Sequence, residues 1–143
     1  ISLIDLKAYG NAINSIKIYN NLSFANTGGD CPEGLIASVS DFMLNLIEVE
    51  FSVVYSIKKD GIKLSIRSSG DLDAGKITNK ALAGIGSGGG HASMAGGFVP
   101  FGKDAEDSER LIEEITDRVY KRIAVSTDTL DTIKRIKELE KML

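Results

Sequence analysis

Apolar and polar positions along this chain change period several times, and each change marks an element. "SLIDLKAYGNAIN" reads as helix through about Ala8, with Gly10 weakening its continuation. "SIKIYNNLSFA" alternates at Ile16, Ile18, Leu22 and Phe24, as a strand does. "NTGGDCPEG" is a turn, with Asp30 suited to cap the next helix and Pro32 in its first turn, where a missing N–H is tolerated. In "LIASVSDFMLNLI" the residues Leu35, Val39, Phe42, Met43 and Leu46 form one helical stripe. "VEFSVVYSI" is apolar almost throughout and predicts a strand buried on both faces. "KKDG" predicts a hairpin turn whose Asp-Gly pair suits positive φ. "IKLSIRSS" then sends Ile62, Leu64 and Ile66 to one face, and Lys63, Ser65 and Arg67 to a polar face carrying two bases and a hydroxyl.

Helical period returns in "DLDAGKITNKALAGI", which aligns Ala74, Ile77 and Ala81. A glycine-rich loop comes next, then "GFVPF" as an edge strand ending at Pro100. Two helices are expected to close the chain. The first begins near Asp104 and buries Leu111, Ile115, Val119 and Ile123; the second begins near Thr127 or Asp128 and aligns Leu130, Ile133, Ile136, Leu139 and Leu143. This mixture predicts the α/β class, a mixed β-sheet flanked by helices in a single domain.

Composition narrows the picture. At 143 residues the chain supports one core, and 43% hydrophobic with 26% charged residues is ordinary for a globular domain. No apolar run approaches a membrane span, and no signal peptide opens the chain, so a cytoplasmic location without membrane contact is expected. The single cysteine, Cys31, points to a reducing compartment and a structural thiol. Beginning at Ile1 rather than Met suggests a piece of a longer protein. The net charge of −3 falls entirely in residues 104–143, while residues 1–103 balance. No broad basic surface is available for non-specific binding to duplex nucleic acid, so any anion must be held locally.

The local candidate is "SIRSSGDLDAGKITNKALAGIGSGGGHASMAGGFVP". It holds Arg67 on a polar strand face, then a returning helix, then Gly88, Gly89 and Gly90, with His91, the only histidine, directly after them. Backbone amides, an imidazole and a guanidinium together suit an anionic oxygen, above all a phosphate. Taken singly, each has a plainer reading: a connecting loop, a surface histidine, a solvated strand charge. Their combination favours the site.

These residues resemble the C-terminal, DHH-associated (DHHA-type) domain of the DHH-family phosphoesterases. That family includes RecJ-like exonucleases, oligoribonucleases, phosphatases of adenosine 3′,5′-bisphosphate and cyclic-dinucleotide phosphodiesterases. The resemblance covers roughly residues 35–100. Ser65, Arg67 and Ser68 match its "SxRS" strand, Gly88 to His91 its "GGGH", and Ala95 and Gly96 the end of its "AAG". Ser87 stands where many members have a further glycine, and Met94 replaces the first alanine with a bulkier side chain, a departure that leaves the choice of substrate open.

The resemblance implies a substrate clamp for a nucleotide or short oligonucleotide, formed by Arg67, His91, Gly88, Gly89, Gly90, Ser65 and Ser68. It implies a hydrolase whose N-terminal DHH domain supplies the ligands to Mn²⁺. With one histidine and no Asp-His-His string, this chain is expected to hold no cofactor and not to be catalytic alone. Residues 1–14 would end an interdomain linker helix, 15–125 form the substrate-binding domain and 126–143 a C-terminal helical extension. Two other readings stand beside it: a nucleic-acid-binding appendage like that of alanyl-tRNA synthetases, and a regulatory domain that forms a homodimer through its C-terminal helices.

Overall fold

A computed structural model describes residues 1–102 and 107–143. The chain runs α1 (Leu3–Ser15), β1 (Lys17–Tyr19), β2 (Leu22–Gly29), α2 (Glu33–Met43), β3 (Phe51–Ile57), β4 (Gly61–Ser68), α3 (Ala74–Leu82), β5 (Ser87–Gly90), β6 (Met94–Pro100) and α4 (Ser108–Lys141). The strands form one mixed sheet in the order β1-β2-β3-β4-β6-β5, in which only β2 and β3 run parallel. The expected α/β domain with a mixed sheet and flanking helices is therefore what the sequence folds into.

Helices cover both faces. Ala25 and Val54 pack beneath α1 and α2 with Ala8, Ala12, Ile36, Val39 and Met43. On the opposite face Phe51, Val53, Ile62, Leu64 and Ile66 pack against α3 and the first half of α4. Full burial of β3 from Phe51 to Val54 explains its unbroken apolar run.

Several expectations change. The first helix runs through Gly10 to Ser15, because a Ser2–Asp5 capping box and the burial of Ala8 and Ala12 outweigh the roughly 1 kcal/mol that a helical glycine costs. The alternating segment after it is a hairpin, turned at Asn20 with φ of 56°. Residues 26–29, expected in a turn, extend β2 alongside β3. Asp30 has φ of 55° and caps nothing; Pro32 occupies the N-cap of α2 without a side-chain bond. That helix ends at Met43 and buries Ile36, Val39, Ser40 and Met43, leaving Phe42 and Leu46 exposed. Gly61 is not at positive φ; it is required because a Cβ there would lie 2.4 Å from the Val99 carbonyl oxygen.

The largest corrections concern the C-terminal third. The glycine-rich segment is an edge strand, β5, rather than a loop, and β6 is an interior strand between β4 and β5 rather than an edge. The two terminal helices are one helix of 34 residues. Its expected start at Asp104 lies outside the described residues; Asp107 is the N-cap and accepts from the Glu109 amide. The polar face of β4 is not free, because α2 lies across it.

Candidate functional site

Strand register gathers the candidate residues into a row. Arg67 on β4 lies opposite Met94 on β6, and Ser65 lies opposite Gly96, which in turn lies opposite Gly89 on β5. The His91 amide donates to the Met94 carbonyl at 2.7 Å, which continues the row to His91. Directly opposed residues share a face. Arg67, Met94 and His91 therefore line one side of the sheet, with Arg67 and His91 two strand spacings apart, about 10 Å. This face forms a shelf beside α2, with Met94 half exposed at its centre.

Arg67 is buried, 6% exposed, and tightly held. Its Nε donates to Asp41 Oδ1 at 2.6 Å, and its Nη1 donates to Ser65 Oγ at 3.1 Å and to the Ile66 carbonyl at 2.9 Å. The other terminal amine, Nη2, has no hydrogen-bond partner among the described residues. A guanidinium has five N–H donors in a rigid fork, so fixing three of them aims the rest. Asp41 is reached from α2, whose Ser40 hydroxyl also donates to the Ser65 carbonyl. Both bases of the polar strand face are thus paired to α2, Arg67 with Asp41 and Lys63 with Glu33.

The glycines divide by face. A Cβ on Gly88 would lie 2.7 Å from Thr78 Cγ2 of α3, and one on Gly75 of α3 would lie 2.4 Å from the Gly90 carbonyl oxygen. These glycines let helix and strand approach each other. Gly89 and Gly96 are different. Among the described residues nothing lies within 4 Å of a Cβ on Gly89, and a Cβ on Gly96 would make only ordinary contact, 3.5 Å from the Leu64 oxygen. No packing contact requires glycine on the shelf side; Gly89 is favoured there by its backbone, at φ of 159°, and Gly96 by neither.

The backbone completes the arrangement. Because the His91 amide faces β6, ladder alternation turns the Gly89 amide toward β6 and those of Gly88 and Gly90 outward. The Gly88 carbonyl accepts from Asn79 Nδ2 at 3.1 Å. The first amides of α3 are occupied: Ala74 donates to the Ala92 carbonyl at 2.8 Å and Gly75 to the His91 carbonyl at 2.9 Å. His91 is therefore held through its backbone at both ends, while its imidazole is exposed and bonds to no described residue. Ser68 is not brought into the shelf. It falls with Ile66 on the other face, where its Oγ is buried without a partner.

Sequence reasoning missed Asp41 and Ser40, which fix Arg67 and Ser65, and Asn79, which holds β5. The available signal was a Ser-Asp pair beside the buried stripe of an amphipathic helix. Among the described residues no three His, Cys, Asp or Glu side chains gather to hold a metal ion, so those residues do not present the donor set of an Mn²⁺ centre. No helix is long and apolar enough to cross a membrane, among the same residues.

A family model, the DHHA1 domain, matches residues 18–121, and the chain belongs to that family. An uncharacterized protein of Methanocaldococcus jannaschii is 29% identical over 103 residues, covering 68% of this chain and 21% of its own length. An exopolyphosphatase-related protein from Bacteroides fragilis shares the fold with a TM-score of 0.61 and 22% identity over 85% of this chain and 35% of its own. RecJ from Thermus thermophilus, solved with Mn²⁺, gives 0.61 and 17% over 85% and 16%. The C-Ala domain of Aquifex aeolicus alanyl-tRNA synthetase gives 0.52 and 17% over 71% of this chain and 96% of its own. This chain thus spans 21% of the curated relative it matches and 35% of the exopolyphosphatase-related structure.

Proposed function

We propose that this domain is the substrate clamp of a DHH-family phosphoesterase and holds a phosphate of a nucleotide or short oligonucleotide on the shelf. The observation that carries the reading is the Arg67 guanidinium, immobilised by Asp41, Ser65 and the Ile66 carbonyl with Nη2 left over, on the same sheet face as His91, with Met94 between them and Gly96 and Gly89 in the adjoining row. Nη2 offers two charge-assisted donors to phosphate oxygens, His91 a third group, and the outward amides of Gly88 and Gly90 are adjacent at the sheet edge. Lys63 and Arg67 are already neutralised by Glu33 and Asp41, so affinity here rests on geometry rather than on net charge.

Met94 and His91 are exposed on the shelf, which suits closure by a second surface. We assign that role to an N-terminal DHH domain of the whole protein, together with the Mn²⁺ ions, and assign no hydrolytic step to the residues of this chain. Titrating the domain with a 5′-phosphorylated dinucleotide should shift NMR signals at residues 65–68 and 86–96, and His91→Ala should abolish those shifts. In the full-length protein, Arg67→Lys, which keeps charge but loses the fork, should raise KM. Unchanged KM in both Arg67→Lys and His91→Ala would overturn the reading.

The likeness to nearly the whole C-Ala domain supports a second reading, a nucleic-acid-binding appendage. It predicts tRNA binding with a steep salt dependence. The balanced charge of residues 1–103 weighs against it.

A further inference from the structure

A second site lies on the opposite face of the sheet, at its other edge, where the β1–β2 hairpin meets α4. The cleft there has a volume of about 350 Å³, within the range of small-molecule sites. Phe24 and Tyr55 form its inner wall, and Tyr19 and Tyr120 stand 40% and 41% exposed at its rim. Three of the protein's four tyrosines thus converge on one cavity. A second lobe of about 530 Å³ shares Tyr19 and Tyr120 with the first. Asn20 of that lobe donates through Nδ2 to the Tyr120 hydroxyl at 3.1 Å, tying the hairpin turn to a residue 100 positions away.

Two properties define what would fit. The walls are flat π surfaces, on which planar rings stack irrespective of their exact substitution. The charged groups of the lining are chiefly acidic among the described residues: Glu113 and Asp117 line the first lobe and Asp128 the second, against Lys17, with hydroxyls and amides of Ser15, Thr116, Asn20 and Asn21 between them. Asp117 also pairs with Lys121 at 2.8 Å, in an exposed i,i+4 bridge that solvent screens. The Tyr55 hydroxyl makes no hydrogen bond among the described residues. Burial, and then the neighbouring Tyr19, raise its pKa above the ordinary 10.0, so at neutral pH it remains a proton donor.

We propose that this cleft binds a planar heteroaromatic molecule that is uncharged or cationic, a nucleobase or nucleoside rather than a nucleotide. The ring stacks between Tyr19 and Tyr120, its amino groups donate to the α4 carboxylates, and the acidic lining disfavours a phosphate. The site is independent of the shelf, because it shares no residue with it and lies on the other side of the sheet.

The test is an NMR titration of the tyrosine ring signals with adenosine and, separately, with adenosine 5′-monophosphate. Adenosine should shift Tyr19, Tyr55 and Tyr120 and leave Tyr9 unmoved, with the monophosphate at least about threefold weaker. Tyr120→Ala should abolish binding, while Tyr120→Phe, which removes only the hydroxyl and its bond to Asn20, should retain it. Glu113→Gln combined with Asp117→Asn should close the gap between the two ligands. No movement of these rings up to about 10 mM adenosine, or equal binding of the monophosphate, would overturn the proposal. Neither outcome touches the shelf, whose reporters are residues 65–68 and 86–96.

Discussion

At the scale of single residues the two kinds of glycine make opposite predictions. Gly88→Ala forces a Cβ to within 2.7 Å of Thr78 Cγ2, and overpacking of this kind costs about 1–3 kcal/mol. A urea melt should show the loss. Gly96→Ala places its methyl in ordinary contact at 3.5 Å, so the melt should stay within about 0.5 kcal/mol of the parent while dinucleotide binding falls. Asp41→Ala tests the other wall. It removes the carboxylate from a buried guanidinium, but Asp41 itself is 63% exposed, so water replaces part of the bond. A loss of about 1–2 kcal/mol is expected, with binding impaired beyond it because Arg67 is no longer oriented. Neither the difference between Gly88 and Gly96 nor the partner of Arg67 is legible in the sequence. The first depends on which face of a strand a glycine occupies, and a run of glycines carries no apolar period from which to read a face; the second depends on where α2 docks on β4.

The same dependence on period governs the elements. β4 and α3 were legible because their apolar positions repeat at two or near 3.6 residues, β3 because its unbroken apolar run marks a strand buried on both faces, and α2 as an element whose buried side is turned from the expected stripe to Ile36, Val39, Ser40 and Met43. β5 has nothing to repeat, and its strand conformation comes from the ladder to β6. α4 was misread for another reason. The Ser-Thr-Asp-Thr sequence at residues 126–129 looks like a helix start, yet the chain has no glycine or proline after residue 102 to end the first helix. Thr129 and Thr132 return their hydroxyls to the carbonyls of Val125 and Asp128 at 3.0 and 2.9 Å, satisfying them within a continuous helix. Beyond Leu130 that helix leaves Ile133, Ile136 and Leu139 exposed and buries no residue. Deleting residues 131–143 should therefore leave the urea midpoint nearly unchanged, since the bridge from Lys134 to Asp71 at 3.8 Å is exposed and worth little. Sedimentation of the same truncation tests the homodimer reading, which requires the intact chain to be the larger species.

At the scale of the molecule, the family membership and the α/β architecture were both legible, through the strand, glycine and histidine motifs and through the alternation of elements. The pairing of the charged candidates was not, because Asp41 and Glu33 reach Arg67 and Lys63 only once α2 lies across the sheet. The bond from Asn79 to the Gly88 carbonyl carries one more consequence. β5 is an outer strand made almost wholly of glycine, with no bulky or charged side chain to deter a neighbouring molecule from adding a strand beside it. Exposed sheet edges of that kind are where folded proteins begin to aggregate. Here Asn79 occupies one outward carbonyl, and Gly75 crowds the Gly90 carbonyl, which closes off another. The helix that packs on the glycine strand thereby withdraws both of these acceptors from a further strand and leaves the outward Gly88 and Gly90 amides as the groups the edge still offers.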